Sequence, residues 1–245
     1  MIKLSVFLLK KLMKNKKTIL IVDDEKDIRE LLEYNLNKNN YNTITAIDGL
    51  DALIKVNSKI DLILLDVMMP NLDGYQTCQK IRNNLTTKNI PIIFLTAKNT
   101  DNDEIQGFES GCDDFIIKPI SIKKILIRID NILKRSQNFD YQKEENLSFG
   151  KITINQNKHQ VLLNSNKIKL TKTEFSLLYL LVSKDRVFTR QELIDLVWGN
   201  NVIISDRSID VHIRNIRIKI GKEHGDMIKT ISGKGYGIIE NHEPN

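Results

Sequence analysis

Four short apolar runs in the first half of the chain each end at a polar residue, and a stretch with helical periodicity follows each of them. This alternation predicts βαβ units, in which successive strands lie parallel in one sheet. In an open parallel sheet, ligands bind outside the carboxyl ends of the strands. The polar residues are therefore expected to meet at one edge of the sheet: Asp23 and Asp24 after T-I-L-I-V, Asp66 after L-I-L-L, Thr96 after I-I-F-L, and Lys118 after D-F-I-I.

Three carboxylates at one edge of a sheet repel one another unless a cation lies among them. Mg²⁺ takes oxygen ligands of this kind, so the sequence predicts a magnesium site at Asp23, Asp24 and Asp66. Other sites fit less well. A P-loop needs a glycine-rich loop that ends in Lys-Ser or Lys-Thr, which this sequence lacks. A phosphatase with an aspartate nucleophile would need a second acid where Met68 stands, and an isolated Asp-Asp pair is usually a loop or a helix cap.

The motifs D-D, L-D-V-M-M-P-N-L-D-G, L-T-A and K-P follow one another within residues 17–135, and this part of the chain resembles the receiver domain of bacterial response regulators. The resemblance implies a flavodoxin-like, doubly wound parallel sheet of five strands. It also implies that Asp66 accepts a phosphoryl group from a sensor histidine kinase. Mg²⁺ would be held by Asp24, Asp66 and the main-chain carbonyl of Met68, with Asp23 acting through water.

Three further residues match positions that respond to the phosphoryl group in that family. Lys118 can neutralise charge on the transferred oxygens, because phosphoryl transfer depends mainly on positioning and charge stabilisation. Thr96 can donate a hydrogen bond only after transfer, which makes it a switch contact. Phe115 matches the switch aromatic, and it lacks the hydroxyl of the commoner tyrosine, so packing alone would set its inward position.

Length and charge indicate two domains with different partners. A chain of 245 residues exceeds one typical domain, and its formal net charge is +6. Acidic side chains predominate after the first 17 residues as far as Arg135, and basic ones predominate beyond it, so the second domain is expected to meet a polyanion. The predicted division is a basic N-terminal extension (1–16), a receiver domain (17–135), a linker (136–148) and a DNA-binding domain (149–241).

The extension and the cysteines bear on where the protein acts. No apolar run approaches the length of a membrane span, so no membrane partner is expected. Residues 1–12 fit an amphipathic helix at a membrane surface, a disordered extension, or sequence upstream of a start at Met13. Cys78 and Cys112 form neither a disulfide framework nor a metal-binding spacing, which predicts free thiols in a reducing, cytoplasmic location.

The second half of the chain combines short strands with helices. The runs K-I-T-I, Q-V-L-L and K-I-K-L predict a small antiparallel sheet. Helices are predicted over Thr173–Ser183, Arg190–Val197 and Ser205–Ile220, with Thr171 or Thr173 capping the first and Thr189 the second. The glycine-rich end of the chain predicts a hairpin with a tight tip.

The third of these helices has one apolar face and one mixed face. The isoleucines Ile209, Ile213, Ile216 and Ile220 recur at helical spacing and are expected to face a core. The opposite face carries Arg207, Ser208, Val211, Arg214, Asn215 and Lys219. Cations suit phosphates, an amide suits a base edge, and a branched methyl group suits thymine, so this face fits a major groove. A basic face that simply contacts solvent is the alternative.

The motifs E-F-S-L-L, R-Q-E-L-I-D-L-V-W-G, D-R-S-I-D-V-H-I-R-N-I-R and G-K-G-Y-G resemble the winged-helix output domain of the OmpR/PhoB subfamily. The resemblance implies an α+β winged helix-turn-helix domain, with a recognition helix at 207–217 and a wing at 228–239. The implied DNA contacts are Arg207, Ser208, Val211, His212, Arg214, Asn215, Arg217 and Lys234. His212 fits either a phosphate contact or an ordinary exposed position. A family arginine before the wing is replaced by Ser232, and Asn215 favours adenine.

The resemblance also implies a homodimer of phosphorylated chains, formed through the fourth helix, fifth strand and fifth helix of the receiver. The charged positions implied at that interface are Glu104, Asp113, Asp114, Lys124 and Arg128, with the usual signs exchanged between Glu104 and Lys124. The predicted function is a transcription factor that dimerises on tandem half-sites of promoter DNA and acts on RNA polymerase. A DNA-binding protein that works without phosphorylation and a pure phosphorelay carrier are the alternatives.

Overall fold

The N-terminal domain is built on a parallel sheet of five strands, in a computed structural model that describes residues 16–97, 101–134, 146–184, 186–199 and 206–238. The strands are β1 (Thr18–Val22), β2 (Asn42–Ala46), β3 (Leu62–Asp66), β4 (Ile92–Thr96) and β5 (Asp114–Ile117). Their order in the sheet is β2-β1-β3-β4-β5, with every neighbouring pair parallel. The predicted flavodoxin-like, doubly wound sheet is therefore confirmed.

Helices cover both faces of this sheet, which explains why its three central strands, β1, β3 and β4, contain only one polar residue each. The helices are α1 (Lys26–Lys38), α2 (Gly49–Lys55), α3 (Gly74–Asn83), α4 (Asp101–Ser110) and α5 (Ile122–Lys134). One apolar layer contains residues of α1 and α5, and the other contains residues of α2, α3 and α4. Ile19 and Ile21 of β1 face the first layer, whereas Leu20 and Val22 face the second.

The C-terminal domain has an antiparallel sheet, a group of helices and a terminal hairpin. Its elements are β6 (Asn146–Phe149), β7 (Ile152–Asn155), β8 (Gln160–Leu163), β9 (Asn166–Ile168), α6 (Lys172–Ser183), β10 (Phe188–Thr189), α7 (Arg190–Trp198), α8 (Asp206–Ile220), α9 (Lys222–Gly225), β11 (Ile228–Ile231) and β12 (Gly235–Ile238). Thr171 and Thr189 each cap the helix that follows through a reciprocal bond with the glutamate three residues on. The order of these elements is that of a winged helix-turn-helix domain, as predicted.

The antiparallel sheet begins earlier than the sequence indicates. Residues 146–148 were expected in the linker, but they form most of β6, which pairs with β7 along its whole length. The strand was missed because Asn146 and Ser148 are polar and only Leu147 and Phe149 contribute apolar surface to the core. The last strand of the sheet is shorter than the predicted run and ends at Ile168. Residues 1–15 and 135–145, which include all but the last residue of the predicted extension and the rest of the linker, lie outside the described residues.

Two further predictions concern membrane-spanning helices and the state of the cysteines. Among the described residues, none of the helices is both long and apolar enough to span a bilayer. Cys78 and Cys112 are free thiols, as predicted, and both are buried.

Gly74 is where α3 comes closest to the strand that carries Asp66. A Cβ atom at this position would lie 2.3 Å from the carbonyl oxygen of Asp66 and 2.7 Å from the Cα atom of Val67. Because these neighbours are backbone atoms, they cannot rotate away. We expect Gly74→Ala to lower the free energy of unfolding by about 2–3 kcal/mol in chemical denaturation.

Gly107 in α4 provides the matched control. Its added Cβ would meet nothing closer than a ring carbon of Phe94 at 3.4 Å. Gly107→Ala should therefore be neutral or slightly stabilising, since alanine is the better helix former. Equal effects of the two substitutions would contradict the close approach at Gly74.

Candidate functional site

Three of the predicted pocket side chains meet at the carboxyl edge of the parallel sheet. Asp23 follows β1, Asp66 ends β3, and Lys118 follows β5. The Lys118 Nζ atom lies 3.0 Å from Asp66 Oδ1 and 3.1 Å from Asp23 Oδ2. It also lies 3.3 Å from Glu25 Oε1, a carboxylate at the exposed rim. Two buried carboxylates therefore share one ammonium group.

Burial dominates the protonation of this cluster. It raises the pKa of Asp66 to about 6, against the hydrogen bond and charge of Lys118, which lower it. Burial also raises the pKa of Asp23. Burial disfavours the charged form of Lys118, but the bonds and charges of Asp66 and Asp23 outweigh this effect and raise its pKa above the usual value. The second oxygen of each carboxylate accepts a backbone N–H, from Met68 for Asp66 and from Glu25 for Asp23.

The oxygen donors of this pocket fit Mg²⁺. Within the described ranges, no three acidic, histidine or cysteine side chains are close enough to bind a metal without other ligands. Mg²⁺ does not need such a cage, because it commonly takes one or two carboxylates and keeps several waters. Asp23 and Asp66 supply two buried carboxylates with the Lys118 ammonium group between them, and Asp24, the residue after Asp23, is exposed. These carboxylates carry more negative charge than the Lys118 ammonium group neutralises, so they can bind a cation as well.

The two predicted switch residues lie next to this pocket. Thr96 is buried at the end of β4, and its carbonyl oxygen accepts a hydrogen bond of 2.7 Å from the Lys118 N–H. Phe115 is half-buried on β5, one strand further from the pocket. Its ring centroid lies 5.6 Å from that of Phe108 in an edge-to-face arrangement, so Phe115 reaches α4.

The predicted core face of α8 is confirmed. Ile209, Ile213, Ile216 and Ile220 are fully buried in the core of the C-terminal domain. The spacing of these isoleucines in the sequence therefore reflects their packing in the core.

The opposite face of α8 differs from the prediction, because much of it lies against the N-terminal domain instead of being open. Val211 is 7% exposed and packs in the apolar cluster of the N-terminal domain. His212 is 1% exposed, with its ring 4.4 Å from Phe108 of α4 and 5.5 Å from Trp198 of α7. Ser208 is also buried. In this conformation, these three side chains are not available to DNA.

Two further residues on this face contact the C-terminal end of α4. The Asn215 side-chain amide donates to the Phe108 carbonyl oxygen at 3.2 Å. The Arg214 guanidinium forms an ion pair with Glu109. The sequence did not identify Phe108 or Glu109 as functional, since nothing in a helix signals that its last turn will meet another domain.

The remaining predicted DNA contacts are distributed differently. Arg207 is exposed, and so is Lys234 at the tip of the β11–β12 hairpin. Arg217 donates to the Ile228 carbonyl and to the Thr230 hydroxyl, at 2.6 and 2.9 Å, so it fastens β11 to α8.

The residues predicted at a dimer interface make contacts within the chain. Asp113 is buried and accepts from Arg82 Nη2, from the Ile92 N–H and from the Thr173 N–H, at 2.9, 3.0 and 3.3 Å. Asp114 is buried in an ion pair with Arg128. Each of these two acids therefore has a partner within its own chain. The sequence alone could not distinguish such a partner from one in a second chain.

The last two of these residues are less constrained. Lys124 is exposed on α5. Glu104 belongs to α4, but its side chain lies outside the described residues.

Comparison with known proteins assigns both domains. Residues 19–130 match the family described as response regulator receiver domain, and residues 165–238 match the family described as transcriptional regulatory protein, C terminal. The response regulator ArlR of Staphylococcus aureus is 41% identical over 223 residues, which cover 90% of this chain and 98% of ArlR.

The fold of both domains is shared with a solved structure. A mutant of RitR superposes with a TM-score of 0.70 at 26% identity, over 92% of this chain and all of that one. DrrB of Thermotoga maritima, described as an OmpR/PhoB homolog, is 30% identical over 91% of this chain and 99% of its own, with a TM-score of 0.49. The acidic pocket at the sheet edge, the winged helix and both family matches agree. The chain belongs to the response regulators of two-component systems, in the OmpR/PhoB-like group that joins a receiver domain to a DNA-binding transcriptional regulatory domain and is not an enzyme family.

Proposed function

We propose that Asp66 accepts a phosphoryl group from the phosphohistidine of a sensor kinase and that this modification controls binding of the chain to promoter DNA. The observation that supports this proposal is the Lys118 ammonium group between Asp66 and Asp23 at the carboxyl edge of the sheet. Phosphoryl transfer needs a nucleophile and a nearby positive charge that neutralises the transferred oxygens. The Asp66 carboxylate and the Lys118 ammonium group can supply these two parts.

In the proposed transfer, an Asp66 oxygen forms a bond to phosphorus as the bond from phosphorus to the kinase histidine breaks, and the histidine nitrogen takes a proton from solvent. Lys118 holds its ammonium group against the oxygens that gain negative charge. Asp24, Asp66 and the Met68 carbonyl would hold Mg²⁺, with Asp23 acting through water, and the ion would supply positive charge to the transferred group. The Asp66 carboxyl must be ionised to attack, and with a pKa of about 6 it is largely ionised at neutral pH.

The proposed output is the pairing of two receiver domains on DNA. After transfer, the Thr96 hydroxyl donates to a phosphoryl oxygen and Phe115 follows it inward. Receivers then pair through α4, β5 and α5, and Glu104 and Lys124 are proposed to pair across the interface. The two copies of α8 would enter successive major grooves about one helical turn apart. The DNA-bound dimer would then act on RNA polymerase in the cytoplasm.

Labelling with ³²P tests the phosphorylation directly. Wild-type chain incubated with Mg²⁺ and labelled acetyl phosphate should incorporate label that is lost in mild alkali. Asp66→Asn should incorporate none above background, because the amide cannot form the acyl phosphate.

Asp73→Asn is the matched control for this labelling. Asp73 caps α3 by accepting the Gln76 N–H, a role that asparagine can fill. Label on Asp66→Asn equal to that on Asp73→Asn would disprove the proposed acceptor.

The pKa of Asp66 predicts how stability varies with pH. Because the folded-state pKa is raised from 3.8 to about 6, the neutral form is favoured by folding, and stability is lost as pH rises through about 6. Asp66→Asn should therefore raise the free energy of unfolding by about 1–3 kcal/mol at pH 8 and by less than about 1 kcal/mol at pH 4, measured by urea denaturation without Mg²⁺.

A substitution at an exposed acid separates this effect from general charge. Glu30→Gln should change stability by at most a few tenths of a kcal/mol at either pH, since its partner Lys26 is exposed as well. A difference between wild type and Asp66→Asn that is the same at both pH values would contradict the burial of an ionised Asp66.

Asn215 is proposed to read an adenine in the major groove. Its amide can donate and accept at once against that base, and each such pair is worth about 1–3 kcal/mol of discrimination. Asn215→Ala should lower affinity for a duplex selected from a random pool by about tenfold and relax preference at one A·T position. An unchanged base preference at every position in the variant would refute this role.

A further inference from the structure

We propose that the cleft between the two domains is a binding site for a small phosphorylated anion, either an inorganic polyphosphate or the polyphosphate group of a nucleotide. The end of α3 and the loop between α3 and β4 form one wall of this cleft, and residues 167–172, which join β9 to α6, form the other. This space is called the interdomain cleft below. The loop meets β4 at the amino ends of the strands, so the cleft lies away from the Asp66 pocket at their carboxyl ends.

The interdomain cleft has room for a small molecule. It contains two cavities of about 320 and 270 Å³, and Asn89, Leu170 and Thr171 line both, so the cavities adjoin. Small-molecule sites typically have volumes of roughly 300–1,000 Å³, and the two cavities together fall within this range. A third cavity of about 20 Å³ is lined by residues of each.

The walls of the cleft are strongly basic. Seven lysine and arginine side chains line the three cavities, against one acidic side chain, that of Glu109. Glu109 is already paired with Arg214, which is not among the lining residues. A concave surface with one sign of charge raises the local concentration of ligands of the opposite sign. The cleft therefore favours an anion.

Two of the seven cations are already occupied by protein groups. The Arg82 guanidinium donates to three backbone carbonyl oxygens and to the Asp113 carboxylate. The Lys219 ammonium group donates to both oxygens of the buried Glu174 carboxylate, at 2.7 and 2.6 Å. These two side chains shape the wall of the cleft, and their charge is largely compensated.

Four lysines of the cleft have no such compensation. Among the residues that the structure describes, none forms an ion pair or a hydrogen bond with the ammonium groups of Lys88, Lys158, Lys167 and Lys169. An ammonium group acts as a point charge and suits phosphate oxygens, whereas the planar fork that best matches a carboxylate is occupied in Arg82. The uncompensated cations therefore favour phosphate groups.

Two neutral side chains can add hydrogen bonds to such a ligand. Asn89 lines all three cavities and is exposed, and its amide has no hydrogen-bond partner within the described ranges. The Thr171 hydroxyl accepts the Glu174 N–H at 3.3 Å and keeps its own proton available to donate. Both residues line the two larger cavities, so both can donate to a phosphate oxygen between them.

An anion in this cleft would contact both domains at once. Lys88 and Asn89 belong to the receiver domain, and Lys167 and Lys169 belong to the C-terminal domain. A ligand that binds one conformation stabilises that conformation by mass action. The concentration of the anion would therefore regulate how firmly the two domains pack together.

Calorimetric titration of the full chain with inorganic tripolyphosphate tests the site. The buffer is free of metal ions, with an ionic strength of about 0.1 M to screen distant charges. Lys88→Gln combined with Lys169→Gln should weaken binding at least about tenfold, because one charge-assisted contact is lost from each wall. Absence of binding to wild type at about 1 mM tripolyphosphate would overturn the proposal.

Two control variants separate the cleft from other basic surfaces. Lys38→Gln combined with Lys59→Gln removes the same charge from exposed positions that do not line the cleft. Lys234→Gln removes a cation from the proposed DNA-binding hairpin. Each control should bind tripolyphosphate within about twofold of wild type, because charges more than about 10 Å away are largely screened. A loss in either control equal to that in the cleft variant would overturn the proposal.

Two other ligands identify the class of anion. Citrate, a polyanion without phosphate, should bind wild type at least about tenfold more weakly than tripolyphosphate, since its carboxylates lack a free guanidinium partner. Equal binding of citrate would overturn the assignment to phosphate. Tighter binding of ATP than of tripolyphosphate would support the site and assign it to a nucleotide. Equal or weaker binding of ATP would support the site and assign it to inorganic polyphosphate.

A measurement on the wild-type chain locates the bound anion without any substitution. Lysines are acetylated with acetic anhydride, and the rate at each is followed by mass spectrometry. Saturating tripolyphosphate should slow acetylation of Lys88, Lys167 and Lys169 and leave the rate at Lys38 unchanged. Equal rates with and without tripolyphosphate at the three cleft lysines would overturn the proposal. Neither measurement involves Asp66 or DNA, so the result is independent of the function proposed above.

Discussion

The ion pairs of Lys118 with Asp23 and Asp66 are the interaction on which the N-terminal site depends. They connect the ends of β1, β3 and β5, so that one ammonium group compensates two buried carboxylates from different strands. Removal of the Lys118 ammonium group would leave two buried carboxylates without compensation, which is strongly destabilising. Burial raises the pKa of Asp66 to about 6 even beside this ammonium group, so Lys118 offsets only part of the cost of burying the carboxylate.

The positions of these pocket residues could be predicted because parallel topology carries every strand end to one edge of the sheet. Apolar runs and the residues that follow them can be read locally from the sequence. The parallel topology then brings those residues together in space. The partners of Asp113 and Asp114 could not be predicted in this way. An acid at either position can pair within its own chain or across a dimer axis, and the same side chain suits both. Only the fold shows that Thr173 and Arg128 lie close enough to pair within the chain.

In helix α8, one face could be predicted from the sequence and the partner of the other face could not. Its isoleucines repeat with the period of one buried face, so that face was identified correctly. Its second face carries Val211 and His212 among cations and amides, without a period of its own, because the surface that covers it is polar at its rim and apolar at its centre. Cations, an amide and a branched methyl group suit DNA, but they also suit the carboxylate, carbonyl and apolar cluster that α8 meets on the receiver domain, so amino-acid chemistry alone does not separate the two partners.

Salt acts unequally on the contacts that α8 makes here and on those it is proposed to make with DNA. Contacts between cations and phosphates release counterions, so DNA affinity falls steeply as salt rises. Where α8 and α6 meet the receiver domain, the ion pair between Arg214 and Glu109 is exposed, while Val211, the ring of Phe108 and the Asp113–Thr173 bonds are buried and poorly screened. Because most of these contacts are buried, salt weakens the packing of α8 on the receiver domain less than it weakens contacts with phosphates.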